Sequence, residues 1–115
     1  MRTSTRRALA AGMAAVAQAA TLSPVAAQDD PRFALGRTVF LERAEPGCPI
    51  CHTLAEAGTS GAVGPNLDTL KPDYGRVRMA VENGVGPMVP QEALSAEEVD
   101  ALAYYVAAAT GGATE

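Results

Sequence analysis

Cys48-Pro49-Ile50-Cys51-His52 decides how the rest of this chain is read. Two thiols stand three positions apart with an imidazole directly after them. These are the only two cysteines and the only histidine among 115 residues. Four chemistries compete for such a pattern. A zinc site needs four ligands, and no second Cys/His pair exists to complete one. A thioredoxin-like dithiol opens a helix after a strand, whereas Glu45-Pro46-Gly47 precedes Cys48 with no β-rich run. A Cys48–Cys51 disulfide would close too small a loop to constrain much of the unfolded chain. The fourth reading, C-x-x-C-H as the attachment site of a c-type haem, uses every member. Both thiols can reach vinyl groups on one porphyrin edge, and His52 can turn its imidazole under the iron.

Residues 1–27 read as an export signal. Arg2, Arg6 and Arg7 make a basic start, Ala8 to Val16 a weak Ala-rich apolar core, and Val25-Ala26-Ala27 a small-residue cleavage site. The expected cut follows Ala27; an uncleaved anchor is the lesser alternative, because the apolar run is broken by Gln18 and too short to span a bilayer. Arg6-Arg7 could suggest twin-arginine export. That route carries folded proteins, and the resemblance set out below implies haem attachment after export, to a chain that crosses unfolded. Residues 28–115 then form one small domain, of a size that usually needs a staple. The haem would serve as one, so that five aromatics and no Trp suffice.

Three of the nine basic residues lie in the leader and none of the thirteen acidic ones does. The remainder therefore carries six against thirteen, a net charge of −7. Such a surface disfavours nucleic acid and anionic membrane and suits a partner with a basic docking face, or simply aids solubility.

Helical signals dominate the domain. Asp30 can cap a first helix over Pro31–Arg43, with Phe33, Gly36, Val39 and Phe40 on its apolar face. Glycines at 58, 61 and 64 make the stretch between His52 and Leu70 a loop. Pro72 opens a middle helix that Gly84 closes, with Tyr74, Val77 and Val81 packed inward and Met79 outward. Ser95 and Glu98 form a capping box for a last helix, stapled by Leu94 and Val99 and stopped by Gly111. Its buried stripe is Val99, Leu102, Ala103, Val106 and Ala109, and the tail after it frays. The expected fold is all-α, three to four helices around one haem, with no sheet.

With C-x-x-C-H, Gly64-Pro65-Asn66-Leu67, Gly36 four residues before Phe40, and Leu102-x-x-Tyr105-Val106, the chain from about Gly36 to Thr110 resembles the small soluble monohaem class I cytochromes c. The resemblance implies the cytochrome c fold, in which the last helix crosses the first at the glycine. Tyr105 is the expected contact there and Tyr104 the alternative. It implies that the Pro65 carbonyl accepts a hydrogen bond from the outer nitrogen of His52, fixing the ring. It also implies that the loop Asn83–Pro90 brings Met88 to the iron. The family commonly has Met-Pro, whereas here Val89 intervenes before Pro90 and Pro87 precedes the methionine. Elimination agrees, since no second histidine exists, Met1 and Met13 leave with the leader, and Met79 is mid-helix. Lys71 would have to deprotonate. Met79, Lys71 and an open site remain the alternatives.

An iron held on both faces by His52 and Met88 has no position for a substrate, so the expectation is a one-electron carrier and not an enzyme, with a potential raised by the neutral sulfur. Pro49, Ile50, Val85, Pro87 and Val89 could frame a small docking patch, unless they pack on the haem, as expected of Ile50. The overall pattern also resembles periplasmic cytochromes c that accept electrons from dehydrogenases, including molybdenum sulfite dehydrogenases. The implied partners are such a dehydrogenase and a terminal oxidase or other acceptor, with the carrier a monomer. Two rivals stand. One is a haem-based peroxidase or gas-binding protein with a labile sixth ligand. The other is a permanent cytochrome subunit of a dehydrogenase complex. A dihaem peroxidase would need a second motif, and a cytochrome c′ bundle would carry it near the C-terminus.

Overall fold

Helix caps foreseen in the sequence set the framework. The computed structural model describes residues 10–17 and 25–115. Arg2, Arg6, Arg7 and Gln18 lie outside the described residues, and 10–17 is exposed without regular structure. A single helical turn, α1 (Val25–Gln28), spans the expected cleavage point. Asp30 then accepts a hydrogen bond from Arg32 N at 2.9 Å and starts α2 (Pro31–Thr38) with Pro31 at its first position. The helical course continues to Arg43 as expected, but Val39–Arg43 is a wider π turn, with Ala44 N donating to Val39 O at 3.0 Å.

The last helix, α6 (Ala96–Thr110), carries the full capping box. Glu98 N donates to Ser95 Oγ at 3.1 Å and Ser95 N to Glu98 Oε1 at 3.2 Å. Arg43 Nε donates to the same carboxylate at 2.9 Å, which holds Glu98 below the usual carboxylate range. Gly111 closes the helix at φ 82°.

α2 and α6 cross at Gly36. A methyl group there would overlap the Ala101 carbonyl and the Tyr105 Cβ, so the missing side chain is what allows the approach. Tyr105 fills the crossing. It meets Phe33 edge-on at 5.0 Å and Phe40 at 6.0 Å, and is fully buried. Its hydroxyl donates to the Glu56 carboxylate, which Arg37 Nε approaches at 3.3 Å; burial and that acceptor push the hydroxyl pKa up. Tyr104 is employed elsewhere, donating to Ala27 O at 2.9 Å beneath the Arg32 guanidinium.

Four expectations need correction. The stretch 52–70 is not all loop. After α3 (Cys48–Cys51) it holds a two-residue antiparallel ladder, β1 (Thr53–Leu54) with β2 (Thr59–Ser60), and one turn of helix, α4 (Leu67–Leu70). Side chains stabilise these short pieces. Thr59 Oγ1 accepts from Leu54 N, and Asn66 Oδ1 accepts from Asp68 N at 2.9 Å as a cap. The fold is therefore helical with a minimal sheet. Pro72 does not open the middle helix, because Asp73 caps α5 (Tyr74–Asn83) and leaves Pro72 outside it. The tail is not frayed either. Ala113 O accepts from Tyr74 N at 2.7 Å and Gly112 N donates to Ala107 O at 2.9 Å, so the tail satisfies an amide of the first turn of α5. The buried surface of α6 is also wider than the expected stripe, adding Ala101, Tyr104, Tyr105, Ala107 and Thr110, while Ala109 is only half-buried.

Alanine is favoured over glycine in a helix by about 1 kcal/mol. Gly36→Ala should nonetheless lower the unfolding free energy by about 1–3 kcal/mol, since the added methyl meets backbone that cannot yield. The urea midpoint measures it, and an unchanged midpoint would show that the crossing opens freely.

Candidate haem site

The signature lies on α3 and the residue after it. Gly47 is extended, Pro49 occupies the first turn, and His52 leaves the helix at φ −119° and ψ 136°. Both cysteines are half-buried free thiols, and burial pushes the Cys48 thiol up to about 11. Among the described residues no further Cys, His, Asp or Glu joins these side chains in a group that could hold a metal ion.

His52 is held from several sides. Its Nδ1–H donates to Pro65 O at 2.8 Å. A carbonyl can only accept, so Nδ1 carries a proton, and Nε2 is the nitrogen left outside this bond. Gly64 N donates to Cys51 O at 2.7 Å, and Thr59 Oγ1 donates to His52 O at 2.9 Å. The Gly64 backbone lies against the ring, for a Cβ there would come within 2.7 Å of Cε1. The hairpin β1–β2 and the segment through Pro65 thus act as a brace for one imidazole. As a helix breaker Gly64 is one of several glycines in this stretch, but its steric task against the ring is its own.

Met88 arrives on a tight turn. Val85 N donates to Met88 O at 3.0 Å and Met88 N to Val85 O at 2.9 Å, with Gly86 at φ 53° inside the turn. Pro87 suits the position after it, so the unusual Pro-Met-Val-Pro order gives an ordered path.

These pieces meet at one cavity of about 430 Å³. Cys48, Cys51 and His52 line it, as do Pro65 and Met88, against an apolar wall from α5 and α6. Met79 is 66% exposed, Lys71 ends α4 at φ 47°, and neither lines the cavity. Val85 and Val89 belong to its lining, and Ile50 lies outside it. Ile50, expected to pack inward, instead stands out at 65%.

The chain is similar to the solved structure of the c-type cytochrome SorU from Sinorhizobium meliloti, at 57% identity and a TM-score of 0.68, over 71% of this chain and 94% of that one. This chain belongs to the c-type cytochromes. No family model and no curated protein matches it. Membership makes this cytochrome an electron carrier rather than an enzyme, with haem c as cofactor and redox proteins as partners. Among the described residues no helix is long and apolar enough to cross a membrane.

The residues present fit such a group. An apolar space is lined by two free thiols, an imidazole whose Nδ1 is engaged by Pro65, and a soft thioether. Left unfilled, an apolar space of that size would leave its lining residues in contact with water. The cofactor is therefore part of the core of this cytochrome.

Gly64→Ala should displace the His52 ring or withdraw the Pro65 carbonyl. The expected result is a stability loss of about 1–3 kcal/mol and faster exchange of the Nδ1 proton. Proton NMR of the His52 ring checks it, and retention of a slowly exchanging Nδ1–H would overturn the brace.

Proposed function

We propose that this cytochrome is a periplasmic one-electron carrier, exported by a leader ending at Ala27 and working as the single domain 28–115. Its one haem c is bonded to Cys48 and Cys51 and ligated by His52 and Met88. The observation that carries the reading is that one cavity is lined by both thiols, by His52 with its Nε2 available, and by Met88, but by neither Met79 nor Lys71.

When bound, the haem supplies a centre that gains or loses one electron. The chain does the rest. Pro65, through its carbonyl, fixes the tautomer and plane of His52, so that a single nitrogen is offered to the metal. Met88 offers a neutral sulfur, which favours the reduced state over harder donors and raises the potential. Between them these two side chains leave no site for a substrate. The walls from α5 and α6 exclude water, which acts in the same direction by disfavouring added positive charge.

The net charge of −7 on residues 28–115 suits partners with basic docking faces. The donor in this reading is a periplasmic dehydrogenase such as a sulfite dehydrogenase, and the acceptor a terminal oxidase or another redox protein. A monomer with a small, short-lived interface suits such a shuttle. Exposed Ile50 supplies an apolar part of that interface beside the cavity edge formed by Val85 and Val89.

The ferric absorption spectrum of the holoprotein tests the ligand set. A far-red sulfur-to-iron band should vanish in Met88→Ala and persist in Met79→Ala. Reduced Met88→Ala should bind CO stoichiometrically and show a lower potential, while wild-type protein binds CO poorly. Equal loss of the band in both variants would refute Met88 as the ligand. Replacing Cys48 and Cys51 by serine should abolish covalent haem and most of the helical circular dichroism. Covalent haem surviving in that double variant would sink the attachment.

A further inference from the structure

One buried polar side chain lies on the wall of the cavity without a place in the ligand set. Gln91, 8% exposed, sits three residues beyond Met88. Its Oε1 accepts from Glu45 N at 2.8 Å and its Nε2 donates to Pro46 O at 3.1 Å. One partner can only donate and the other can only accept, so the amide orientation is fixed. Its main chain is engaged as well, with Gln91 N donating to Val81 O at 2.9 Å in α5. Every polar group of the residue is thus employed. The Met88 turn itself is closed only by its own two backbone bonds to Val85. Among the described residues, the two bonds from Gln91 are the side-chain hydrogen bonds that join the Met88 arm to the segment leading into Cys48.

We propose that Gln91 is a positioning residue for Met88: it ties the methionine arm to the Glu45-Pro46 segment of the thiol arm and so keeps the thioether at the metal. The inference rests on the reading of Met88 as ligand. No near relative of the side chain does the same work. Glutamate keeps the acceptor but loses the donor, asparagine is one methylene short, and leucine fills the volume while leaving a buried amide and a buried carbonyl unpaired. Loss of both bonds lets the two arms separate, which raises the population in which the metal has an open face.

The holoprotein tests this with three readouts: the far-red band, CO binding to the reduced form, and amide hydrogen exchange. Gln91→Leu should bind CO about tenfold faster than wild type, the effect expected for two lost buried hydrogen bonds. Its far-red band should disappear at lower temperature, and the Glu45 amide should exchange faster. If leucine prevents recovery of holoprotein, Gln91→Glu is measured in the same way. Thr110→Val, buried in α6 and absent from the cavity wall, controls for general destabilisation and should leave CO binding unchanged. Wild-type CO kinetics and an unshifted band in the Gln91 variant would overturn the positioning role while leaving Met88 as ligand. Absence of the band from wild type would overturn both.

Discussion

An apolar space larger than the chain's own side chains can fill is the constraint on which this protein depends. Residues between Phe40 and Val106 contribute its walls, so most of the domain is shaped by something it must surround. The helices α5 and α6 supply Val77, Val81, Leu102 and Val106 as an inert lining, and Phe40 closes one part of it from the π turn. Polar chemistry is confined to a few positions, and no buried side-chain nitrogen or oxygen lacks a partner among the described residues. That economy explains how a domain poor in aromatics can be well packed.

The short elements gain their meaning from this space. A two-residue ladder has no independent stability. Here it is braced by Thr59 and Thr53 and serves to hold the backbone of His52. The single turn α4 does similar work for the segment that offers the Pro65 carbonyl, since Asp68 Oδ2 accepts from Ala55 N at 2.8 Å and ties α4 back to the hairpin. The imidazole is thus oriented through its Nδ1 and its backbone, and Nε2 takes no part in those hydrogen bonds.

Much of this was legible in the residues. The capping box at Ser95 and Glu98, the Asp30-Pro31 start and the stop at Gly111 are local devices, and local devices write themselves into sequence. Gly36 was legible through the resemblance that singled it out, and its reason is steric. The hairpin was not, because Thr53 and Thr59 act through side chains reaching across a glycine-rich turn, with no alternation to detect. Pro72 misled because proline at a helix start and proline just before an aspartate cap look alike until the cap is seen. Gln91 carried no signal at all. Its partners lie 45 and 46 residues earlier, so only the folded chain shows why an amide belongs there.

The crossing at Gly36 joins the first long helix to the last one, with Tyr105 as its keystone. The two halves of that contact come from opposite ends of the domain, so the opening helix has nothing to latch against until the final helix has formed. Closing the fold is therefore a non-local event, and a single methyl at residue 36 is felt by both long helices at once.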